Sequence, residues 1–133
     1  MEIIGDIKNY EWGKLGSESE VVKLAKLNDE TFKTDESKPY SELWMGDHVS
    51  GQSKVKVTGE LLGDFIQKDR NGNIGGQLNL PFLFKILSIR KALSIQVHPN
   101  KKEAERLHAV YPDIYKDDNH KPEVRTFTNA RRS

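Results

Sequence analysis

The sequence predicts an α+β fold, mainly β with added helices, on three observations. The stretch from Phe82 to Ile89 is a nearly continuous apolar run, which is typical of a buried strand. Residues Leu93 to His98 alternate between apolar and polar side chains, the period of a strand with one packed face. Three other stretches, near 18–27, 59–67 and 101–111, instead repeat apolar residues at helical spacing.

The composition indicates one lightly cored domain that need not be complete. The chain has 133 residues, of which 35% are hydrophobic and 31% are charged. Its 21 basic and 20 acidic residues nearly cancel, which argues against a nucleic-acid or membrane-surface binder. The absence of cysteine excludes disulfides, thiolate metal sites and cysteine nucleophiles. Because the acidic N-terminus lacks a long apolar run, we expect a soluble cytoplasmic protein without a targeting segment.

The first third of the chain predicts a strand, a helix and a loop. Residues 2–12 can hold a short strand. Ser17 and Glu20 match a capping box, in which two side chains satisfy free backbone donors where a helix begins, and this pattern predicts the first helix. The polar stretch 28–41 is predicted to be a loop.

The middle of the chain predicts two short strands and a helix. Ser41–Gly46 and Lys54–Val57 have strand-like patterns, and Thr58 can cap the second helix. The glycine- and asparagine-rich residues 71–76 are predicted to be a flexible turn. Further on, Asn100 and Glu103 form another capping pattern that predicts the start of the third helix.

The alternating strand from Leu93 to His98 is the first candidate for chemistry. Alternation places Ser94, Gln96 and His98 on the face opposite the apolar one. Gln96 and His98 are two residues apart and can both reach one metal ion. The alternative is an antiparallel strand whose polar face is simply solvated.

Lys85 is the second candidate, because it interrupts the apolar run. A lysine in a buried strand must be paired, deprotonated or directed into a cavity, and such a group can transfer protons. We therefore expect Lys85 to point into a pocket, with Phe84 and Ile86 on the opposite side. The alternative is an edge lysine whose long stem reaches water.

The segment His120–Glu123 is the third candidate, with an imidazole, an ammonium and a carboxylate within four residues. Glu123 could complete an oxygen-and-nitrogen metal shell with Gln96 and His98. The alternative is a polar turn stiffened by Pro122. The two tryptophans of the chain are expected to be core anchors.

Taken together, these pieces resemble the type I phosphomannose isomerases, also called mannose-6-phosphate isomerases. Five motifs occur in the family's order and are spread from residue 9 to residue 123, so the resemblance extends over nearly the whole chain. They are Asn9–Lys14, Lys38–Gly46, Leu80–Ser88, Leu93–Lys101 and Asp118–Glu123.

The resemblance implies a zinc-dependent aldose–ketose isomerase on a cupin-type jelly-roll fold. Such enzymes interconvert mannose 6-phosphate and fructose 6-phosphate, in the supply of GDP-mannose, and are monomeric. By the same resemblance, Gln96, His98 and Glu123 are ligands of one zinc ion. It further implies a set of residues around the sugar phosphate: Lys85, His120 and Lys121 as catalytic candidates, and Trp12 and Ser94 as pocket residues.

The resemblance also predicts the domain organisation. Residues 1–123 correspond to the N-terminal part of the family's catalytic domain, and residues 124–133 form a divergent tail. The family's fourth zinc ligand, a histidine, and a catalytic arginine come later in the longer chains. We therefore expect an incomplete jelly-roll that is poorly active alone. The alternative is a non-catalytic metal or sugar-phosphate binding module, or a regulator of the full-length enzyme.

Overall fold

A computed structural model describes residues 1–93 and 100–113 of the chain. The chain divides into two compact units, Met1–Lys91 and Ala92–Ser133. None of the helices in the described ranges is long and apolar enough to cross a membrane.

The described part of the first unit contains short strands and helices. The strands are β1 (Ile3–Ile4), β2 (Asp6–Lys8), β3 (Lys14–Leu15), β4 (Pro39–Tyr40), β5 (Glu42–Met45), β6 (Lys54–Val55) and β7 (Phe84–Leu87). The helices are a 3₁₀ turn (Gly16–Glu18), α1 (Glu20–Asn28), α2 (Leu62–Lys68) and α3 (Arg70–Ile74). In the second unit, the described residues contain α4 (Lys101–Val110).

The described strands pair in three small antiparallel sheets. The largest has the order β2-β5-β7, and the other two are the pairs β1-β6 and β3-β4. In the largest sheet, Leu43 of β5 lies opposite Ile7 and Ile86. The α+β class predicted from the sequence is therefore confirmed, although the described strands are short.

The core lies between α1 and one face of the β2-β5-β7 sheet. Its buried centre consists of Val21 and Val22 from α1, Tyr40 from β4 and Leu43 from β5. Four half-buried hydrophobic side chains pack around this centre: Ile7, Phe32, Met45 and Ile86. The apolar side of α1 thus packs against the apolar face of the sheet.

All three predicted helices are present as α1, α2 and α4, but two of their predicted caps are wrong. Ser19, not Ser17, caps α1 by accepting a hydrogen bond from the backbone N–H of Val21 at 3.1 Å. Leu61 precedes α2 without a side-chain cap, while Thr58 accepts a bond from Glu60 N–H before the helix.

The third predicted cap is confirmed. Asn100 accepts a bond from the backbone N–H of Glu103 at 3.0 Å, at the start of α4.

The predicted flexible turn at residues 71–76 is also wrong. Residues Arg70–Ile74 form α3, because Asp69 caps this short helix by accepting a bond from Gly72 N–H. The helix ends at Gly75, which adopts φ +62°, a left-handed conformation that glycine tolerates without steric cost. The predicted loop 28–41 likewise contains a strand, β4.

The expectation that Phe82–Ile89 forms a buried strand is wrong for the described structure. β7 has the expected extended backbone, but Phe84 is 56% exposed and Leu87 is 41% exposed. The reason is topological, because within the described residues β7 pairs with β5 alone and forms one edge of the sheet.

Candidate functional site

Two of the residues predicted to form the site, Lys85 and Trp12, lie in the described part of the chain. The other six lie outside the described residues, and their roles remain predictions: Ser94, Gln96, His98, His120, Lys121 and Glu123. Within residues 1–93 and 100–113, no group of three or more His, Cys, Asp or Glu side chains could hold a metal ion.

The two faces of the β2-β5-β7 sheet differ in polarity. Because neighbouring residues of a strand point to opposite faces, the partners Leu43 and Ile86 lie on the core side and their neighbours on the other. The face opposite the core, which we call the polar face, carries Asp6 and Lys8 from β2, Glu42 and Trp44 from β5, and Lys85 and Leu87 from β7.

Trp44 lies at the centre of the polar face. In the ladder it is directly opposite Asp6 on one side and Lys85 on the other. The Nζ atoms of Lys8 and Lys85 each lie 4.5 Å from the centroid of its ring, within the range of a cation–π contact. Its indole N–H donates a hydrogen bond to Oε2 of Glu42, so the buried ring is anchored at its polar end as well.

Lys85 lies in an apolar run of the sequence, but its side chain is only partly buried. Its Nζ lies 3.7 Å from Oε2 of Glu42, and its side chain remains 35% exposed. Ile86 packs against the core, as predicted, whereas Phe84 is exposed. The lysine is therefore paired and also reaches solvent, which combines features of the two alternatives drawn from the sequence. The pocket expected around it remains a prediction.

Lys8, on the other side of Trp44, is held tightly. Its Nζ is 2.7 Å from Oδ2 of Asp6 and donates a hydrogen bond of 2.6 Å to the carbonyl oxygen of Ser50. Only 18% of its side chain is exposed. The loop between β5 and β6 approaches so closely at Gly51 that a Cβ atom there would lie 2.5 Å from Nζ of Lys8. This lysine is thus part of the packing between loop and sheet.

His48 also belongs to this region. Its ring packs against that of Trp44 in a T-shaped arrangement, with a centroid distance of 5.3 Å and an interplanar angle of 87°. Its Nδ1 accepts a hydrogen bond of 3.1 Å from the backbone N–H of Ser50. The histidine therefore helps to fix the loop beside the indole.

Trp12 is half-buried and stacks on Tyr10, with ring centroids 5.8 Å apart and an interplanar angle of 27°. Its carbonyl oxygen accepts hydrogen bonds from the backbone N–H groups of Arg90 at 2.8 Å and Lys91 at 3.1 Å. These bonds hold the Trp12 segment against the chain that follows β7. The predicted contact of Trp12 with a ligand remains a prediction.

Glu42 and Trp44 are the polar-face residues that sequence reasoning missed as partners of Lys85. The alternation within Ser41–Gly46 places these two side chains on one face. What the sequence lacks is the register that brings β7 beside β5 and so places Lys85 opposite Trp44.

Comparison with known proteins identifies one family. The family model described as phosphomannose isomerase type I, catalytic domain, matches residues 1–131. The chain is 50% identical to the mannose-6-phosphate isomerase of Ogataea parapolymorpha, covering 92% of this chain and 31% of that protein. It is 45% identical to that of Rattus norvegicus, covering 89% and 30%. The chain thus spans about 30% of the length of these curated relatives.

Solved structures give the same result. A lysine-to-alanine mutant of phosphomannose isomerase from Salmonella typhimurium superposes with a TM-score of 0.67 at 32% identity, covering 88% of this chain and 30% of that one. A mannose 6-phosphate isomerase described as bound with zinc and yttrium superposes with a TM-score of 0.63 at 32% identity, covering 89% and 32%. Because the family model matches residues 1–131, which is nearly the whole of this chain, the chain belongs to the type I phosphomannose isomerase family.

Proposed function

We propose that this chain supplies part of the catalytic domain of a zinc-dependent mannose-6-phosphate isomerase. The observation that carries the proposal is the family match over residues 1–131, together with 50% identity to a curated isomerase. The substrate is a sugar phosphate, which the enzyme converts between mannose 6-phosphate and fructose 6-phosphate in the cytoplasm, in the supply of GDP-mannose.

The proposed zinc ligands are Gln96, His98 and Glu123, taken from the family resemblance. Amide, imidazole and carboxylate groups form an oxygen-and-nitrogen donor set that suits zinc. A structural relative at 32% identity is described as bound with zinc, which supports the choice of metal. When bound, a zinc ion would polarise the oxygens of the open-chain sugar.

Lys85 is the described residue that best fits a part in the reaction. Isomerisation moves a proton between C2 and C1 of an open-chain sugar, so the site needs a positioned group that takes and returns it. A substrate phosphate also needs a cation. The ammonium of Lys85, a third exposed and held beside Glu42, is available to hold the phosphate or to donate a proton to the sugar. His120 and Lys121 are the other candidates, and Trp12 and Ser94 are proposed to line the pocket.

A chimera provides the test of activity. Residues 1–123 of this chain would replace the corresponding N-terminal part of the Ogataea parapolymorpha enzyme, and turnover would be followed by a fructose 6-phosphate-coupled assay. We expect a rate within about tenfold of the parent's, a barrier difference of about 1.4 kcal/mol. The purified 133-residue chain, supplied with zinc, is expected to stay near background. In the family a further histidine ligand and an arginine follow, and neither is in this polypeptide.

Zinc binding is tested separately from turnover. Competition with a chromophoric chelator measures zinc affinity in the chimera and in its His98→Ala variant, with His108→Ala as a matched histidine control. We expect His98→Ala to weaken zinc binding by more than about 100-fold, because loss of a direct ligand should exceed the 10–100-fold cost typical of outer partners. Zinc binding without turnover in the chimera would instead favour a non-catalytic binding module. Equal affinities in both variants would refute the ligand assignment.

A further inference from the structure

Two lysines contact the same indole ring but differ in how they are restrained. Lys8 is fixed by the Asp6 carboxylate and the Ser50 carbonyl, independently of Trp44. For Lys85 the described contacts are the Trp44 ring at 4.5 Å and the Glu42 carboxylate at 3.7 Å. The position of Lys85 therefore depends on Trp44 far more than the position of Lys8 does.

Trp44 acts on Lys85 along two routes. Its ring offers the face on which the ammonium rests. Its indole N–H donates to Oε2 of Glu42, and this is the same oxygen that lies nearest to Nζ of Lys85. A donor on that oxygen fixes the direction of the carboxylate, so the partner of Lys85 is itself held in place. Both Trp44 and Glu42 are buried, so solvent competes little for the hydrogen bond between them.

We propose that Trp44 is a positioning residue for Lys85, which it holds through its ring and through the Glu42 carboxylate at one place on the polar face. As a statement about catalysis, this inference rests on the proposed function, in which Lys85 acts on the sugar phosphate. As a statement about geometry, it can be tested without any activity.

The geometric test uses nuclear magnetic resonance on the whole 133-residue chain. Protons above an indole face are shifted upfield by the ring current, so the ε-methylene protons of Lys85 report their distance from Trp44. In the Glu42→Gln variant we expect the chemical shift of the Lys85 ε-methylene protons to move toward the value of a lysine in an unstructured chain. The Lys8 protons serve as the internal control and should keep their shift, since Asp6 and Ser50 hold them. An unchanged Lys85 shift would overturn the proposal.

The catalytic test is a double-mutant cycle in the chimera. Trp44→Leu removes the ring and the N–H donor, while Trp44→Phe keeps a ring and is the milder variant should the first fail to fold. If Trp44 acts through Lys85, its replacement lowers kcat by about tenfold in the native background and by less than about twofold in the Lys85→Met background. Equal losses in both backgrounds would show a merely structural role and refute the inference. A chimera with no activity at all, but with the resonance result as expected, would refute the proposed function and leave the geometry standing.

Discussion

The hydroxyl oxygen of Ser19 lies 2.7 Å from the carbonyl oxygen of Tyr40, to which it donates a hydrogen bond. The same oxygen accepts the backbone N–H of Val21 at 3.1 Å and so caps α1. Ser19 is 0% exposed. One buried side chain thus closes the start of the helix and ties it to β4, beside the core residues that both elements contribute.

We expect Ser19→Ala to lower the free energy of unfolding by about 1–3 kcal/mol, since it removes a helix cap and leaves the Tyr40 carbonyl without this buried donor. Urea denaturation of the 133-residue chain measures the change. The control is Ser17→Ala, whose hydroxyl makes an exposed bond to Glu36 and should matter less. A loss for Ser17→Ala as large as that for Ser19→Ala would contradict the assignment of the cap.

The cap of α1 could not be predicted from the local sequence pattern alone. The sequence Ser17-Glu18-Ser19-Glu20 offers two serines, and the capping-box spacing favours the first. The structure uses Ser19, whose second partner, Tyr40, is 21 residues away in the chain. The helix itself could be predicted because apolar spacing is a local property. The choice of cap could not, because it depends on where β4 packs.

The backbone at Gly13 lies very close to the backbone at Ser41. A Cβ atom there would lie 2.7 Å from Cα and 2.8 Å from N of Ser41. Ser41 cannot move aside, because its N–H donates to the carbonyl of Lys8 and its carbonyl accepts the N–H of Ser88. We therefore expect Gly13→Ala to destabilise the chain by about 1–3 kcal/mol, the typical cost of overpacking. A shift of the urea midpoint at constant slope would report this.

The matched control for Gly13 is Gly75→Asn. Gly75 has φ +62°, and a Cβ there would meet nothing within 4 Å. Asparagine tolerates this left-handed conformation, so we expect Gly75→Asn to lower the free energy of unfolding much less than Gly13→Ala does. Near-equal losses for the two variants would mean that the contact with Ser41 is not what requires glycine at position 13.

Glu36 gives the chain a defined sensitivity to acid. Its carboxylate accepts the backbone N–H of Ser17 and then the Ser17 hydroxyl, and these bonds hold the pKa of Glu36 below its ordinary value of 4.5. Because the folded-state pKa is lower than the unfolded one, this contribution is present above pH 4.5 and is lost as the pH falls through the folded value. We expect Glu36→Gln to lose less stability than the native chain on acidification.

Ser17→Ala is the matched variant for this pH effect. It removes the hydroxyl donor but keeps the backbone N–H, which is the larger cause of the lowered pKa of Glu36. Its acid sensitivity should therefore fall between those of the native chain and Glu36→Gln. Unfolding by urea across a pH series measures all three, and parallel curves would rule out a contribution from Glu36.

The candidate site could be predicted only in part. The apolar run around Lys85 singled this residue out, because an ionisable group in such a run needs a partner. The partners, Glu42 and Trp44, lie about 40 residues earlier, and only the strand register brings them beside Lys85. The same register leaves β7 at the described edge of the sheet, so the apolar run predicts the strand correctly and its burial wrongly.

The final prediction compares the two lysines that share the Trp44 ring. In the chimera, Lys85→Met should lower turnover by about 10²–10⁴-fold, the range expected for a positioned proton-transfer group. Its stability should change little, because a weak ion pair that is a third exposed contributes at most about 1 kcal/mol. The coupled isomerase assay and urea denaturation provide the two measurements.

Lys8→Met is the control, since it removes an ammonium at the same 4.5 Å from the same ring. Lys8 is less exposed and makes two further contacts, so its replacement leaves Asp6 without its cation and the Ser50 carbonyl without this donor. We therefore expect the opposite pattern, with stability reduced more than turnover. Unchanged turnover in Lys85→Met would remove Lys85 from the mechanism, because a group that moves the proton or holds the phosphate cannot be replaced by a thioether without a loss of rate.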